Sequence, residues 1–161
     1  MTALSRTRTR PPLYTAEERA RRDASVWTVV QGVLAPVQFL AFGVSLVLVL
    51  RFLLTGTGYE AATISILVKT AFLFLIMITG AIWEKAVFGR YLFAPAFFWE
   101  DVFSFAVITL HSLYLWALWS GSMAPRDMMF LALAAYATYV INAGQFLWKL
   151  RHARLDQGAR A

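Results

Sequence analysis

Four long apolar stretches, 26–54, 62–83, 102–119 and 128–148, alternate with short polar breaks along the chain. Each is about as long as the roughly 20 residues that carry a helix across hydrocarbon, or longer. The pattern predicts an all-α protein, an integral membrane four-helix bundle. The first stretch exceeds what a span needs and contains Pro36, so a tilt, kink or extension is expected there. A secretory signal is the rival reading of this region. The basic lead is long and the apolar run is far longer than a signal h-region, so it is set aside. Thr55-Gly56-Thr57-Gly58 reads as a tight loop, and Gly121 to Asp127, with Pro125, as a turn.

The ends differ in character from the middle. Residues 1–25 are polar and Arg-rich and read as a cytoplasmic basic arm followed by a short surface helix. Thr15 and Glu18 have the spacing of a capping box at the start of that helix. Residues 149–161 read as a basic tail. The membrane domain is thus 26–148.

Composition agrees with this partition. Of 161 residues, 60% are hydrophobic and 15% charged, against roughly 25% charged in a soluble domain. A domain of this size cannot hide so much apolar side chain from water, and disorder is excluded for the same reason. There is no cysteine, which removes disulfides, thiolate metal sites and cysteine nucleophiles. The net charge of +6 would suit nucleic acid, but its placement does not: six of the fifteen basic residues lie in the first 22 positions and four follow Trp148. A basic fringe on an apolar body is membrane topology. The connection between spans two and three adds Lys85 and Arg90, so the positive-inside rule predicts both termini and that connection in the cytoplasm. No Gly-rich phosphate loop, HExxH pair or GxSxG elbow is present.

Charge in hydrocarbon costs roughly 2.5–3.5 kcal/mol per residue on insertion scales, so the polar residues inside the spans carry the information. They are Gln31, Gln38, Lys69, His111, Asn142 and Gln145. The glutamines and Asn142 fit interhelical hydrogen-bond glue. Lys69 either snorkels or pairs with a carboxylate. His111 shares a helical face with Glu100 and Ser104 and lies about 16 Å deeper at 1.5 Å per residue; it is either a satisfied bundle histidine or part of a site. Glu84, Glu100 and Asp101 crowd one membrane boundary. The connection Trp83–Trp99 is packed with rings, among them Tyr91, Phe97, Phe98 and Trp99. It reads as an interfacial aromatic belt or as a wall for a large flat apolar ligand. Apolar surroundings favour the neutral form of a carboxyl, which can then serve as a general acid.

The run Trp83-Glu84-Lys85, then Phe88-Gly89-Arg90-Tyr91-Leu92-Phe93-Ala94-Pro95-Ala96-Phe97-Phe98-Trp99-Glu100-Asp101, resembles the central block of the 3-vinyl (2-vinyl) bacteriochlorophyllide hydratases. So do Ala135-Tyr136-Ala137-Thr138-Tyr139-Val140-Ile141-Asn142, Tyr14-Thr15-Ala16-Glu17-Glu18-Arg19 and Trp27-Thr28-Val29-Val30-Gln31-Gly32. The resemblance runs from about Tyr14 to Asp156. It implies a hydro-lyase of bacteriochlorophyll synthesis in a bacterial inner (intracytoplasmic) membrane, adding water to the C3-vinyl group of a chlorophyllide to give a 1-hydroxyethyl group. No cofactor is then expected, magnesium being part of the substrate chlorin. The partners are substrate, water, lipid and other enzymes of the same synthesis, with no nucleic acid.

On that chemistry the candidate catalytic residues are Glu84, Glu100, Asp101 and His111: Glu100 or Glu84 as acid, Asp101 the third carboxylate, His111 the base or an axial ligand of the substrate magnesium. The candidate substrate-binding residues are Lys69, Arg90, Tyr91, Phe97, Phe98, Trp99, Tyr139 and Asn142, with Lys69 or Arg90 facing the substrate propionate. Two other classes fit the hydropathy: a haem-binding anchor subunit, for which only His111 is a buried histidine, and a four-span transporter using Lys69.

Overall fold

The computed structural model describes residues 12–158, with side chains described as far as Arg151. The expected arm at residues 1–11 and the tail side chains of Arg154 and Arg160 lie outside the described residues. Five helices follow in order: α1 Ala16–Ala24, α2 Val26–Thr55, α3 Tyr59–Phe88, α4 Phe98–Ser120 and α5 Pro125–Gly158. There is no strand among the described residues. Helices α2 to α5 are each long and apolar enough to cross a membrane.

Local chemistry sets the boundaries. The capping box at α1 is complete: Glu18 N–H donates to Thr15 Oγ1 at 3.2 Å and Thr15 N–H to Glu18 Oε2 at 2.8 Å. Ser25 then ends α1 and caps α2, its N–H donating to the Arg22 carbonyl and its Oγ accepting from Trp27 N–H. Gly56 and Gly89 close α2 and α3 at φ of 72° and 83°, a left-handed conformation that favours a residue without Cβ. Pro125 sits at the first position of α5, where the missing N–H has no partner to lose. α2 runs unbroken through Pro36. At 30 residues it is about 45 Å long, well beyond the hydrocarbon thickness of roughly 30 Å.

Short loops make successive spans antiparallel neighbours, so α2–α3 and α4–α5 form two closely packed hairpins. The hairpins meet along α2 and α5, and along a less intimate seam between α3 and α4. The start of α2 and the end of α5 therefore lie at one end of the bundle. The outer faces carry exposed Leu40, Val47, Leu54, Ile78, Trp116 and Trp119, while buried Ser45, Lys69, Thr70, Ser104, His111 and Asn142 face inward. A protein in lipid gains little from packing apolar side chains against each other, so specific polar contacts between helices fix the arrangement. Gln31 joins α2 to α3 through Thr79 Oγ1 at 2.7 Å. Ser45 Oγ joins α2 to Ser65 of α3 at 2.8 Å and to the Tyr136 hydroxyl of α5 at 2.5 Å.

The expected glue is found for Gln31 and Asn142, but not for Gln38 or Gln145, whose Nε2 and Oε1 respectively are buried without a partner. The expected 83–99 connection is shorter than its composition suggests: α3 continues through Phe88 and α4 begins at Phe98. Trp83 and Phe88 are thus helical residues. With Tyr14, Phe97 and Phe146 they form a second, aromatic core at the terminus-bearing end. α1 is tied across this end, Arg21 Nε donating to the Val87 carbonyl at 2.7 Å.

Candidate functional site

The polar residues of α3 and α4 meet across their seam at two levels. At the terminus-bearing rim, Glu84 of α3 and Asp101 of α4 turn their carboxyl groups toward each other at interaction range, although they are 5% and 3% exposed. The loop between the helices feeds both. Phe93 N–H donates to Asp101 Oδ2 at 2.7 Å and Ala94 N–H to Glu84 Oε2 at 3.2 Å. Phe93 has φ of 59°, the one positive value among the described non-glycine residues. Such a conformation costs a non-glycine residue roughly 1–2 kcal/mol. Here it is held by the Asp101 contact and by ring stacking of Phe93 on Phe105, at 5.7 Å and 10°. The third carboxylate is engaged differently. Glu100 Oε2 accepts from Lys149 Nζ at 2.6 Å, and Lys149 also donates to the Ala96 carbonyl.

The second level lies deeper. Lys69 Nζ contacts His111 Nε2 at 2.6 Å, with the two residues 0% and 1% exposed. His111 Nδ1 lies 2.8 Å from the Val107 carbonyl one turn earlier. That carbonyl can only accept, so Nδ1 carries the ring proton and the Nε2 lone pair accepts from Lys69. The Lys69 ammonium position also faces the rings of Tyr139 at 4.3 Å and Tyr136 at 5.2 Å. Lys69 is the eleventh residue of a 30-residue helix and is wholly enclosed, so it does not snorkel. Its partner is an imidazole, not a protein carboxylate. Between the levels, Asn142 Nδ2 donates to Ser104 Oγ at 2.8 Å, which leaves Asn142 Oδ1 buried without a partner.

The two levels are well apart. Asp101 and His111 are ten residues apart on α4, about 15 Å, and Lys69 and Glu84 fifteen apart on α3, about 22 Å. The shared face of Glu100 and His111 is real, but it does not bring them to one reacting atom. The remaining candidates surround the rim. Arg90, Tyr91, Phe98 and Trp99 are exposed, with Tyr91 beneath the Lys85 ammonium. Phe97 is 2% exposed and packs against Tyr14, Trp83, Phe88 and Phe146. Tyr139 lies beneath Lys69. Sequence reasoning missed Lys149, which it counted only as tail charge, and Phe93, whose backbone conformation has no sequence signal. It also passed over Ser45 and Tyr136, although hydroxyls inside apolar spans were a usable signal.

A family model described as 2-vinyl bacteriochlorophyllide hydratase matches residues 14–152. A relative from Rhodobacter capsulatus, described as 2-vinyl bacteriochlorophyllide hydratase, is 76% identical over 148 residues, covering 91% of this chain and 85% of the relative. Another with the same description, from Cereibacter sphaeroides, is 71% identical over 148 residues, covering 91% of each. No solved structure matches the chain.

Proposed function

The chain belongs to the 2-vinyl bacteriochlorophyllide hydratase family, and on that premise we propose that it is a membrane hydro-lyase adding water to the vinyl group of a bacteriochlorophyllide. The observation that carries the reading to particular atoms is the enclosed Glu84–Asp101 pair, hung on two backbone N–H groups beside exposed aromatic rings.

Hydration of a vinyl group needs an acid and then a base. A carboxyl and a carboxylate side by side supply both. One member donates its proton to the terminal vinyl carbon, and the π electrons form the new C–H bond. The cation left on the adjacent carbon is delocalised into the macrocycle. Water attacks that carbon, the C–O bond forms, and the proton that water loses passes to the carboxylate member. The pair ends with one proton, as it began. Two fixed N–H donors orient the carboxyls and limit their rotation. The change is redox-neutral overall, so the route uses no redox cofactor, and magnesium enters as part of the substrate.

Glu100 is committed to Lys149, so its role in this reading is to anchor α5 at the rim. His111 is about 15 Å too deep to deprotonate the same water; it acts on Lys69 instead. Arg90, Tyr91, Phe98 and Trp99 form the exposed edge where a flat macrocycle leaves lipid for the pair. The reading places the protein in the inner membrane with both termini cytoplasmic, so that water reaches the rim from the cytoplasm.

Membranes from a host without chlorins, given the protein and a vinyl chlorophyllide in water labelled with heavy oxygen, should yield a product heavier by one labelled water. Glu84→Gln and Asp101→Asn should each lower the rate by about 10²-fold or more, and Glu100→Gln far less. Unlabelled product, or full rates in both Glu84 and Asp101 variants, would overturn the assignment.

A further inference from the structure

Phe93, at φ of 59°, lies in the loop that serves the rim pair. A glycine would take this conformation without cost. The chain carries a phenylalanine there instead, and such a conformation persists only where the surroundings enforce it. The ring supplies that enforcement. It stacks on Phe105 of α4 at 5.7 Å and 10° and tilts against Phe98 at 5.6 Å, while remaining 36% exposed. It therefore fastens the loop to exposed rings of α4 and belongs to neither buried core cluster. The left-handed backbone in turn has a use. In an extended chain successive residues face opposite sides. A left-handed residue within a turn brings consecutive N–H groups to one side, the arrangement that cradles anionic oxygens. Here Phe93 N–H donates to Asp101 Oδ2 at 2.7 Å and Ala94 N–H to Glu84 Oε2 at 3.2 Å. Two neighbouring N–H groups thus serve carboxyls on two different helices.

Resting on the reading of the rim pair as the hydration site, we propose that Phe93 is a positioning residue for that pair: stacking of its ring on Phe105 holds its backbone left-handed, and that backbone holds Asp101 and Glu84 in register. The seam between α3 and α4 is the less intimate one between the hairpins, so the loop supplies the tie that packing there does not. The side chain acts through the two N–H groups. Alanine at this position lacks the ring and favours extended backbone, which turns one of the two N–H groups away. Glycine lacks the ring too, but reaches a φ near 60° freely. The expected order of rates is therefore the unaltered protein and Phe93→Tyr first, Phe93→Gly next and Phe93→Ala last. A side chain needed only for packing gives a different order: alanine, with more contact surface and a stiffer backbone than glycine, then does at least as well.

The test measures hydration of a vinyl chlorophyllide by the full-length protein in lipid nanodiscs, with rates scaled to the folded fraction read from helical circular dichroism. Phe93→Ala should lower kcat by about tenfold to hundredfold and leave KM within about twofold, because the pair is displaced while the substrate is still held. Phe93→Gly should lose less, and Phe93→Tyr should recover most of the rate. Phe105→Leu, which removes the stacking partner without touching the loop, should lower kcat in the same way. In an Asp101→Asn background Phe93→Ala should add little, since its effect runs through that carboxyl. A rate for Phe93→Ala equal to or above that of Phe93→Gly would overturn the proposal, and so would losses that multiply with Asp101→Asn. An impaired Asp101→Asn beside a fully active Phe93→Ala overturns this proposal alone; a fully active Asp101→Asn overturns the reading of the rim pair and this proposal with it.

Discussion

At the scale of single residues, the interior separates groups that hold the structure from groups with unused bonding capacity. Lys149 belongs to the first kind. It neutralises Glu100, whose side chain is 7% exposed, and occupies the Ala96 carbonyl. Lys149→Met leaves a buried carboxylate and a carbonyl without donors. Because Lys149 is itself 29% exposed, water offsets part of the loss, and about 1–3 kcal/mol is expected, read as a lower thermal unfolding midpoint in detergent. Glu100→Gln removes the charge as well as the pairing and should unfold at a temperature closer to the unaltered protein. His111 belongs with Lys69. His111→Phe keeps a ring in the space but removes the acceptor from the buried Lys69, so it should lower the thermal unfolding midpoint in detergent, at a cost of about 1–3 kcal/mol, and leave kcat nearly unchanged. An unchanged midpoint with a collapsed kcat would instead make His111 a participant in the chemistry.

At the scale of elements, α1 stands apart as a helix with no buried residue. Thr15→Ala removes one side of the capping box and should cost about 1 kcal/mol. Since α1 is tied to α3 through Arg21 and Val87, the expected sign is faster protease cleavage near residue 15 with little change in the unfolding of the bundle. Legibility in the sequence divides at this scale too. The spans were readable because hydropathy over some 20 residues is a strong signal, and α4's inward face was readable from the spacing of Glu100, Ser104 and His111. The capping box was readable because both partners lie three residues apart. Pairings across helices were not: Lys69 with His111 spans 42 positions, and Lys149 with Glu100 spans 49. These depend on helix rotation, which a hydropathy pattern leaves open. Nor does any residue type announce that Phe93 takes a left-handed backbone conformation.

At the scale of the whole molecule, the fold is two helical hairpins joined by polar contacts, apolar outside and polar within, with the proposed chemistry at one end of the α3–α4 seam and the buried Lys69–His111 contact at its middle. Orientation is open to a clean test because the chain has no cysteine. A single cysteine at Thr57, in the loop away from the termini, should react with an impermeant thiol reagent added from outside intact cells. One at Ala20, on α1, should react only after the membrane is opened. The reverse pattern would turn the molecule over. The central claim is that Glu84 and Asp101 act as one acid–base unit, and the most direct measurement is the hydration rate of Glu84→Gln, Asp101→Asn and the double variant under identical conditions. The account predicts that either single change loses about 10²-fold or more and that the double loses scarcely more than either, since a unit already broken has nothing left to lose. Near-normal rates in either single variant, or losses that multiply in the double, would contradict it.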